Sequence, residues 1–381
     1  MTIRLERTIW PVGHGAFYTE QFKDGDNVLF TAVYDCGSEQ EKMRKECIEA
    51  IFPKDKTTTI DALFISHFHN DHVNGLQDLL SRTQVKRLYI PQLSDEYLLY
   101  TLCTLSAVSA TDRKNALEFI NTIYADSRTG NIEEIYEIPA ITRDEAERIE
   151  SFGTHIDITH NRSHKVANII SVPNMPEWIY IPCNLFEGKQ ELIDAFNNDG
   201  TYVTKGDIDI QKILNDLKNG HWKKVQEIYK AAFPKGHNEY SMTVFSGIKE
   251  SAEKAIIRHT NMPYSRYFQL KPYLWELNCL YTGDFEPKNG NARALNVFYS
   301  NRENAWSRVE IIQVPHHGSK DNHDDYLYEH AQMAFVSAAT NDKYGHPNLL
   351  TLCNIIRQSC YPIVVTNAKK DLIILNYDIV W

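Results

Sequence analysis

One short segment constrains this chain of 381 residues more than any other feature. Residues 66–72 read Ser-His-Phe-His-Asn-Asp-His and directly follow an apolar stretch, residues 60–65. Three imidazoles and one carboxylate therefore stand within six positions, and both groups are ligands that zinc and similar cations prefer. A solvated loop that is rich in histidine by chance does not explain four ligand-type residues placed directly after a buried-strand pattern.

The spacing within this segment also has a physical meaning. His67 and His69 are two residues apart, so on an extended segment their side chains point to the same side. Asp71 and His72 follow where the chain turns toward an apparent helix over residues 73–80. One strand-to-helix turn can therefore offer one pair of ligands to one metal ion and a second pair to a neighbouring ion.

The pattern of residues 67–72 resembles the signature of the metallo-β-lactamase-fold hydrolases, and later motifs of that family follow in order. Asp35 lies in an Asp-Cys-Gly turn where the family has an early Asp-x-Gly turn. Asp284 ends a Thr-Gly-Asp segment that resembles the source of the metal-bridging carboxylate. Where the family usually has Pro-Gly-His-Gly, this chain has Pro-His-His-Gly, which aligns His317 with the ligand and leaves His316 beside the site.

Two further details are similar to the hydrolase domain of ComEC-type DNA-uptake proteins. One is Pro-His-His-Gly-Ser at 315–319, followed by Tyr-Gly-His-Pro at 344–347. The other is Val-Gly-His-Gly-Ala at 12–16, in which those proteins usually carry glutamine in place of the histidine. The resemblance covers roughly residues 5–95 and 236–381, and it leaves the middle of the chain unassigned.

The resemblance implies two divalent metal ions that share one bridging carboxylate. The implied ligands are His67, His69 and His237 for one ion, Asp71, His72 and His317 for the other, and Asp284 between them. Many members take the third histidine of the first ion from Gly-His-x-x-Gly-Ser, and this chain departs at Tyr240, where glycine is usual. ComEC-like members often carry asparagine-type residues there, so Asn238 stays open as the aligned residue. The histidine-rich set favours Zn²⁺, and Mn²⁺ is the alternative that the ComEC resemblance implies.

The chemistry follows from such a pair of ions. Two cations about 3.5–4 Å apart can share a water and lower its pKa toward neutrality, which gives a nucleophilic hydroxide. We predict that Asp71 orients this hydroxide as well as binding metal. His346 is the first candidate for general acid or substrate contact, ahead of His316 and Tyr344; alternatively His346 fixes a ligand by a hydrogen bond. The residues predicted to support the ligands or contact substrate are Asp35, Ser319, Lys320, Tyr344 and His14.

Composition agrees with a globular enzyme. Forty basic and fifty acidic residues give a net charge of −10, which argues against tight, sequence-independent binding of long nucleic acid. No apolar run approaches the roughly 20 residues that span a bilayer, and the first residues lack the apolar core of a signal peptide. The seven cysteines form no Cys-x-x-Cys pair. We therefore expect a cytoplasmic protein with reduced thiols and no membrane contact.

Strand-like and helical patterns alternate along both ends of the chain, which predicts an α/β layered fold. The resemblance makes this a four-layer αββα metallo-β-lactamase sandwich, with the metals at one edge of the two sheets. Residues 95–235 lack a Gly/Ser linker and are predicted to be a mixed α/β insertion that caps the active site of one domain, residues 1–381. Within it, residues 158–160 and 178–181 are predicted strands.

Three functions remain open from the sequence. The first is a phosphodiesterase or nuclease acting on DNA, RNA or a nucleotide, which the ComEC-like motifs favour. The second is a carbonyl hydrolase of the lactonase, thioesterase or β-lactamase type, because one fold hosts many substrates. The third is an inactive, metal-stabilised binding or regulatory partner. A protein partner or homo-oligomer is compatible with each of them.

Overall fold

The structure is a computed structural model that describes residues 2–54, 58–92, 94–124, 131–148, 165–166, 169–173, 175–186, 188–234, 240–252, 256–261, 277–341 and 343–380. The strands are β1 (Thr2–Ile9), β2 (Tyr18–Asp24), β3 (Asn27–Tyr34), β4 (Thr58–Ile60), β5 (Ala62–Phe64), β6 (Thr83–Pro91), β7 (Ile132–Ile138), β8 (Ala140–Ile141), β9 (Lys165–Val166), β10 (Ile170–Val172), β11 (Met175–Leu185), β12 (Val203–Thr204), β13 (Asp207–Ile208), β14 (Thr243–Ile248), β15 (Ile256–Asn261), β16 (Cys279–Tyr281), β17 (Ile311–Gln313), β18 (Met333–Ser337), β19 (Tyr361–Val365) and β20 (Ile373–Val380).

The helices are α1 (Glu41–Ile51), α2 (Asn70–Val73), α3 (Leu76–Leu80), α4 (Asp95–Ser106), α5 (Ala110–Tyr124), α6 (Arg143–Arg148), α7 (Gln190–Asp199), α8 (Ile210–Lys218), α9 (Lys223–Ala232), α10 (Asn291–Ser300) and α11 (Leu349–Arg357). Short 3₁₀ turns connect several of these elements. Among the helices of the described ranges, none is long and apolar enough to cross a membrane.

Most strands belong to two large sheets, each antiparallel at one end and parallel at the other. The first sheet has the order β15-β20-β1-β2-β3-β5-β6-β7-β9, with β4 paired to β6, and becomes parallel from β3 onward. The second has the order β10-β11-β14-β16-β17-β18-β19, with β8 paired to β11, and becomes parallel from β16 onward. Strands β12 and β13 form a separate hairpin.

Neighbouring residues of one strand enter different cores, because side chains alternate across a sheet. On β5, Leu63 faces a cluster under helices, whereas Phe64 faces the other sheet. On β16, Leu280 and Tyr281 divide in the same way. One core therefore lies between the sheets, a second lies under α1, α3–α5 and α7–α9, and a third lies under α10 and α11. This is the four-layer αββα arrangement predicted from the sequence.

The middle of the chain contributes to both sheets as well as to the surface. Strands β7 and β9 extend the first sheet, and β8, β10 and β11 extend the second. Helices α4 and α5 pack with α7–α9 on the outside of the first sheet. The predicted strand at 178–181 lies within β11, and the one predicted at 158–160 lies outside the described residues.

Three local predictions differ from the structure. The predicted helix over 73–80 is divided between α2 and α3, because the Gly75 amide bonds to the Cys36 carbonyl at 2.8 Å instead of continuing α2. The residue pattern over 323–332 also predicts a helix, but within it the structure has only a 3₁₀ turn, Asp325–Tyr328. The pattern predicts a strand over residues 8–11 and none after residue 365, whereas β1 and β20 pair along their whole length and join the two ends of the chain.

Candidate metal centre

Close backbone contacts fix the turn that carries the histidine-rich segment. A Cβ atom on Gly37 would lie 2.4 Å from the Asp71 carbonyl, and one on Gly15 would lie 2.8 Å from the same oxygen. The Cys36 amide donates to the His72 carbonyl at 2.9 Å. Glycine is therefore required at both positions, which explains why two glycine-containing motifs accompany the histidines in the sequence.

Four predicted ligands form one cluster. Ligand atoms of Asp71, His72, Asp284 and His317 all lie within 4.8 Å of one another. The Nε2 atom of His72 lies 3.3 Å from Oδ1 of Asp284 and 3.7 Å from Oδ2 of Asp71. The Nε2 atom of His317 lies 3.1 Å from the same Asp71 oxygen. The fold thus brings three sequence-distant motifs to one point.

Asp35 sets the orientation of His72. Its Oδ2 atom accepts from Nδ1 of His72 at 2.8 Å and from the Ser66 hydroxyl at 2.7 Å, and its Oδ1 accepts from the Ser66 amide at 2.7 Å. Because Nδ1 is used in this way, Nε2 is the His72 nitrogen that faces the cluster. Burial raises the pKa of Asp35, although the adjacent His72 opposes that shift. This supporting position agrees with the role predicted for Asp35.

His317 is held by a different kind of partner and an unusual backbone. Its Nδ1 donates to the Ser337 carbonyl at 2.9 Å, which leaves Nε2 facing Asp71. His316, His317 and Gly318 all have positive φ, at 48°, 54° and 78°. Non-glycine residues in this region are strained, and such strain is concentrated at functional sites. The turn after β17 therefore presents both histidine side chains next to Asp284.

The first histidines of the motif form a second cluster. Ligand atoms of His67, His69 and Asp284 lie within 4.8 Å of one another, and Nε2 of His67 is 3.9 Å from Oδ2 of Asp284. Nδ1 of His67 lies 3.0 Å from the Ser66 hydroxyl and 3.3 Å from the Ser241 hydroxyl. Ser241 also accepts the Asp284 amide at 3.0 Å, so one serine contacts both residues.

The predicted third histidine of this cluster cannot be placed. His237 and its alternative Asn238 lie outside the described residues. Tyr240, which replaces the usual glycine, is buried with its ring 5.2 Å from that of Tyr100 and 4.5 Å from that of Phe186. The substitution that distinguishes this loop therefore packs the chain before β14 against α4 and the end of β11.

The two oxygens of Asp284 face different histidines. Oδ1 lies 3.3 Å from His72 and 3.9 Å from His317, whereas Oδ2 lies 3.9 Å from His67 and 3.5 Å from Nδ1 of His316. We call the group of Asp71, His72 and His317 the Oδ1 side, and the pair His67 and His69 the Oδ2 side. A carboxylate between two such sets has the arrangement expected of a bridging ligand.

These residues fit divalent cations. The Nε2 atom of His72 and the Oδ1 atom of Asp284 are buried and face each other at 3.3 Å, and neither makes a well-oriented hydrogen bond to the described residues. Buried polar atoms are rarely left in that state unless a group outside the protein chain binds them. Imidazole and carboxylate donors are those of zinc and manganese sites, and the set does not distinguish between these metals.

The electrostatics of the site keep its carboxylates ionised. Burial alone would raise the pKa of Asp71, but His72 and His317 outweigh it and hold that pKa far below its usual range. Burial also opposes ionisation of Asp284, whose pKa is nevertheless held well below the usual range by His316 and His72. Ionised carboxylates are what a cation requires, and a cation that binds here takes the place of any proton on the imidazole nitrogens that face it.

The centre opens into a cleft of about 920 Å³. Ligand residues line one wall, together with His14, Ser319, Tyr344 and His346, and the start of the insertion lines another, including residues 107–109, 111–112 and 115. Lys320 is exposed and is not one of the described residues that line the cleft, so its predicted place beside the metals is not seen. Nε2 of His14 lies 3.9 Å from Oδ2 of Asp71.

Sequence reasoning missed several residues that shape the site. Ser66 and Ser241 both contact His67, as described above, although serine carries no metal-ligand signal of its own. Asn74 joins α2 to the segment before α1, because its Oδ1 accepts from the Ser38 amide at 3.0 Å and from Arg44 at 2.5 Å. The position of Ser66 at the start of the motif was the only available signal.

Comparison with known proteins agrees with this geometry. Residues 26–156 match the family model of the metallo-beta-lactamase superfamily, which covers the histidine-rich motif but ends before Asp284 and His317. No curated protein matches the chain. The match confirms the predicted fold class, and the closer likeness to ComEC-type proteins stays a prediction. Family match and clustered ligands together support a metal-dependent hydrolase.

Proposed function

We propose that this protein is a metal-dependent phosphodiesterase that acts on a nucleotide or a short single strand of nucleic acid. The observation that carries the proposal is the polarity of the cleft. Ala107 and Val108 are the only aliphatic side chains among the described residues that line it. Pockets for small molecules are usually lined by apolar side chains, so this polar wall suits a charged substrate, and a phosphodiester carries a negative charge.

The charges of the cleft favour a small substrate over a long duplex. Beyond the predicted ligands, the described lining includes three acidic residues, Glu39, Glu41 and Asp112, and two basic ones, Arg44 and Lys343. Lys343 is already paired with Glu39 at 3.4 Å. Affinity for long nucleic acid grows with the number of phosphates that basic residues neutralise. This lining offers few such contacts, while a single phosphodiester needs only the centre itself.

The proposed roles follow from position. His67, His69 and Asp284 would hold one ion, and Asp71, His72, His317 and Asp284 the other, with any ligand from 235–239 in addition. Bound ions of this kind supply Lewis acidity and lower the pKa of a water. Asp71 faces the cleft and can orient the attacking water, and His346 is the proposed proton donor to the leaving oxygen.

Purified protein should be assayed with Zn²⁺ and with Mn²⁺ on bis(p-nitrophenyl) phosphate, single-stranded DNA and RNA, and duplex DNA. We expect metal-dependent cleavage that Asp71→Ala abolishes, with short single strands preferred over duplex. Asp207→Ala, which changes an exposed aspartate in the β12–β13 hairpin, is the matched control and should keep full activity. Metal-loaded protein that cleaves lactones or thioesters but no phosphodiester would overturn the proposal.

The assignment of His346 has its own test. We expect His346→Ala to lower turnover about a hundredfold, the usual effect of losing a general acid, while metal content stays at the wild-type level. His221→Ala, at an exposed histidine of the insertion, is the control. Loss of metal from His346→Ala, measured by elemental analysis, would instead make this residue a ligand or the support of one.

A further inference from the structure

Three aromatic side chains form a cluster at the mouth of the cleft. The ring of Tyr344 lies 5.3 Å from the ring of His14 and 5.9 Å from that of His346. The rings of His14 and His346 are 6.1 Å apart and nearly parallel, at 20°. All three line the cleft, and Tyr344 is 55 % exposed there. A large, exposed aromatic ring next to a polar site can contact a bound ligand with its face.

This cluster adjoins the Oδ1 side directly. The His14 ring lies 3.9 Å from the His317 ring, and His14 in turn contacts Tyr344. The Tyr344 ring centre is therefore within about 9 Å of a predicted metal ligand. In a nucleotide, one sugar separates the phosphate from the base. A phosphate at the centre would place its own base, and not a distant one, against these rings.

The backbone holds His14 firmly in this position. Its amide donates to Oε1 of Gln40 at 2.9 Å, and its carbonyl accepts the Glu39 amide at 2.8 Å. Glu39 also pairs with Lys343, whose ammonium lies 4.7 Å from the centre of the Tyr344 ring. The loop before β2 and the loop around Tyr344 are thus joined through Glu39 and Lys343.

We propose that Tyr344, with His14 and His346, is a stacking surface for the nucleobase attached to the reacting phosphodiester, an inference that rests on the proposed phosphodiesterase function. Aromatic rings stack on every base, so the surface selects a nucleotide over a plain phosphate ester without reading its sequence. The apolar faces of bases suit it, whereas the rest of the lining is polar. The substrate class is therefore a phosphodiester that carries at least one base.

The test uses thymidylyl-thymidine, which has a single phosphodiester, and its two analogues in which one base or the other is replaced by hydrogen. For wild type we expect KM to rise about tenfold with one of the analogues, since a base stacked on an aromatic ring contributes on this scale. Tyr344→Ala should raise KM for the intact substrate by a similar factor and should be insensitive to removal of that base. Tyr344→Phe keeps the ring and should keep the rise in KM that follows removal of that base.

Tyr326→Ala is the matched control, since Tyr326 is also an exposed tyrosine but is not one of the described residues that line the cleft. Equal KM values for all three substrates in wild type would overturn the stacking surface and leave the phosphodiesterase intact. Loss of turnover in Tyr344→Phe would mean that the hydroxyl of Tyr344 acts on the substrate and not its ring, and would also overturn the stacking surface. Failure to cleave any phosphodiester would overturn both proposals.

A binding measurement gives a second readout that does not depend on turnover. Metal-loaded wild type should bind thymidine 5′-monophosphate about tenfold more tightly than deoxyribose 5-phosphate in calorimetric titrations, because only the former carries a base. In Tyr344→Ala the two ligands should bind alike. Equal affinities in wild type would contradict the proposal even if every variant remains active.

Discussion

Histidines lie on both sides of Asp284, but their hydrogen-bond partners differ. On the Oδ1 side, His72 donates to a buried carboxylate and His317 to a backbone carbonyl. On the Oδ2 side, Nδ1 of His67 contacts two serine hydroxyls. All three histidines therefore donate from Nδ1, since a carboxylate and a carbonyl can only accept and the Ser66 hydroxyl already gives its proton to Asp35. The difference is that the partner of His72 is a charged carboxylate, whereas the partners of His67 are neutral.

The pKa values of the histidines also differ between the two sides. Burial lowers the pKa of every histidine here, but on the Oδ1 side Asp284 and Asp71 overcome it and the pKa of His72 is raised; that of His317 is raised chiefly by its hydrogen bond to Asp71. On the Oδ2 side burial prevails, which lowers the pKa of His67 and brings that of His69 to about 4. The two sides of Asp284 therefore differ in how readily a metal ion can displace the protons of their histidines.

Replacing the shared carboxylate should produce the largest effect. Asp284→Asn removes the charge from both sides, so we expect loss of both ions and a fall in turnover on the order of a thousandfold or more. Metal content by elemental analysis and activity on bis(p-nitrophenyl) phosphate would measure this. Retention of one ion would mean that one side binds metal without Asp284, and the bridging assignment would then be wrong.

Removing one histidine from each side tests whether the sides are independent. His72→Ala leaves Asp35 buried without its charged partner, so we expect the free energy of unfolding of the metal-free protein to fall by about 3–5 kcal/mol. His67→Ala removes contacts to two neutral hydroxyls and should cost about 1 kcal/mol in hydrogen bonding, plus the effect of the cavity. Urea unfolding of both variants without metal gives the comparison, and equal losses would contradict it.

Asp35→Asn tests the support of the Oδ1 side alone. The amide keeps the shape of the carboxylate but not its charge, so we expect the affinity of the Oδ1-side ion to fall about 10–100-fold. The Oδ2-side ion should lose less affinity, because Asp35 reaches His67 only through Ser66. Competition with a chelator would resolve the two affinities, and an equal loss at both sides would show that Asp35 supports the whole centre.

The smallest expected effect is a difference in the number of protons that the two sides release when a metal ion binds. The pKa values of His72 and His317 are raised, so both side chains retain a proton to higher pH than an ordinary histidine, and an ion on the Oδ1 side must displace it. His67 and His69 have lowered pKa values and are already neutral. Metal affinity of the Oδ1 side should therefore fall as the pH falls, with about one proton or more released per ion. Titration calorimetry in buffers of different ionisation enthalpy measures this number, and no release at either side would refute the contrast.

The linked stability of the metal-free protein has the opposite sign. A histidine whose pKa is raised in the folded state stabilises that state below the pKa of the unfolded chain, and this contribution is lost as the pH rises through the folded value. His72 therefore stabilises the metal-free fold at acidic pH, whereas metal stabilises the loaded protein at higher pH. The two forms should respond differently to the same change of pH.

Much of the site could be predicted because its residues carry their chemistry locally. The spacing of His67, His69, Asp71 and His72 indicates ligands by residue type, and the strand before them places the group at a sheet edge. Lys320 shows the limit of this reasoning. Lys320 follows Gly318 and Ser319 directly in sequence, yet its side chain is exposed. The positive φ angles of the preceding residues change the course of the backbone, so closeness in sequence does not determine where the side chain points.

The sequence by itself determined the ligand types, the alternation of strands and helices, and the glycines that close backbone approach requires. Only the tertiary structure decided that the two oxygens of Asp284 face different histidines, that Asp35 orients His72, and that Tyr344 meets His14 at the mouth of the cleft. The physical reason is that these contacts join residues from different strands and loops. Their distances depend on how two sheets pack against each other, which no local pattern of residues specifies.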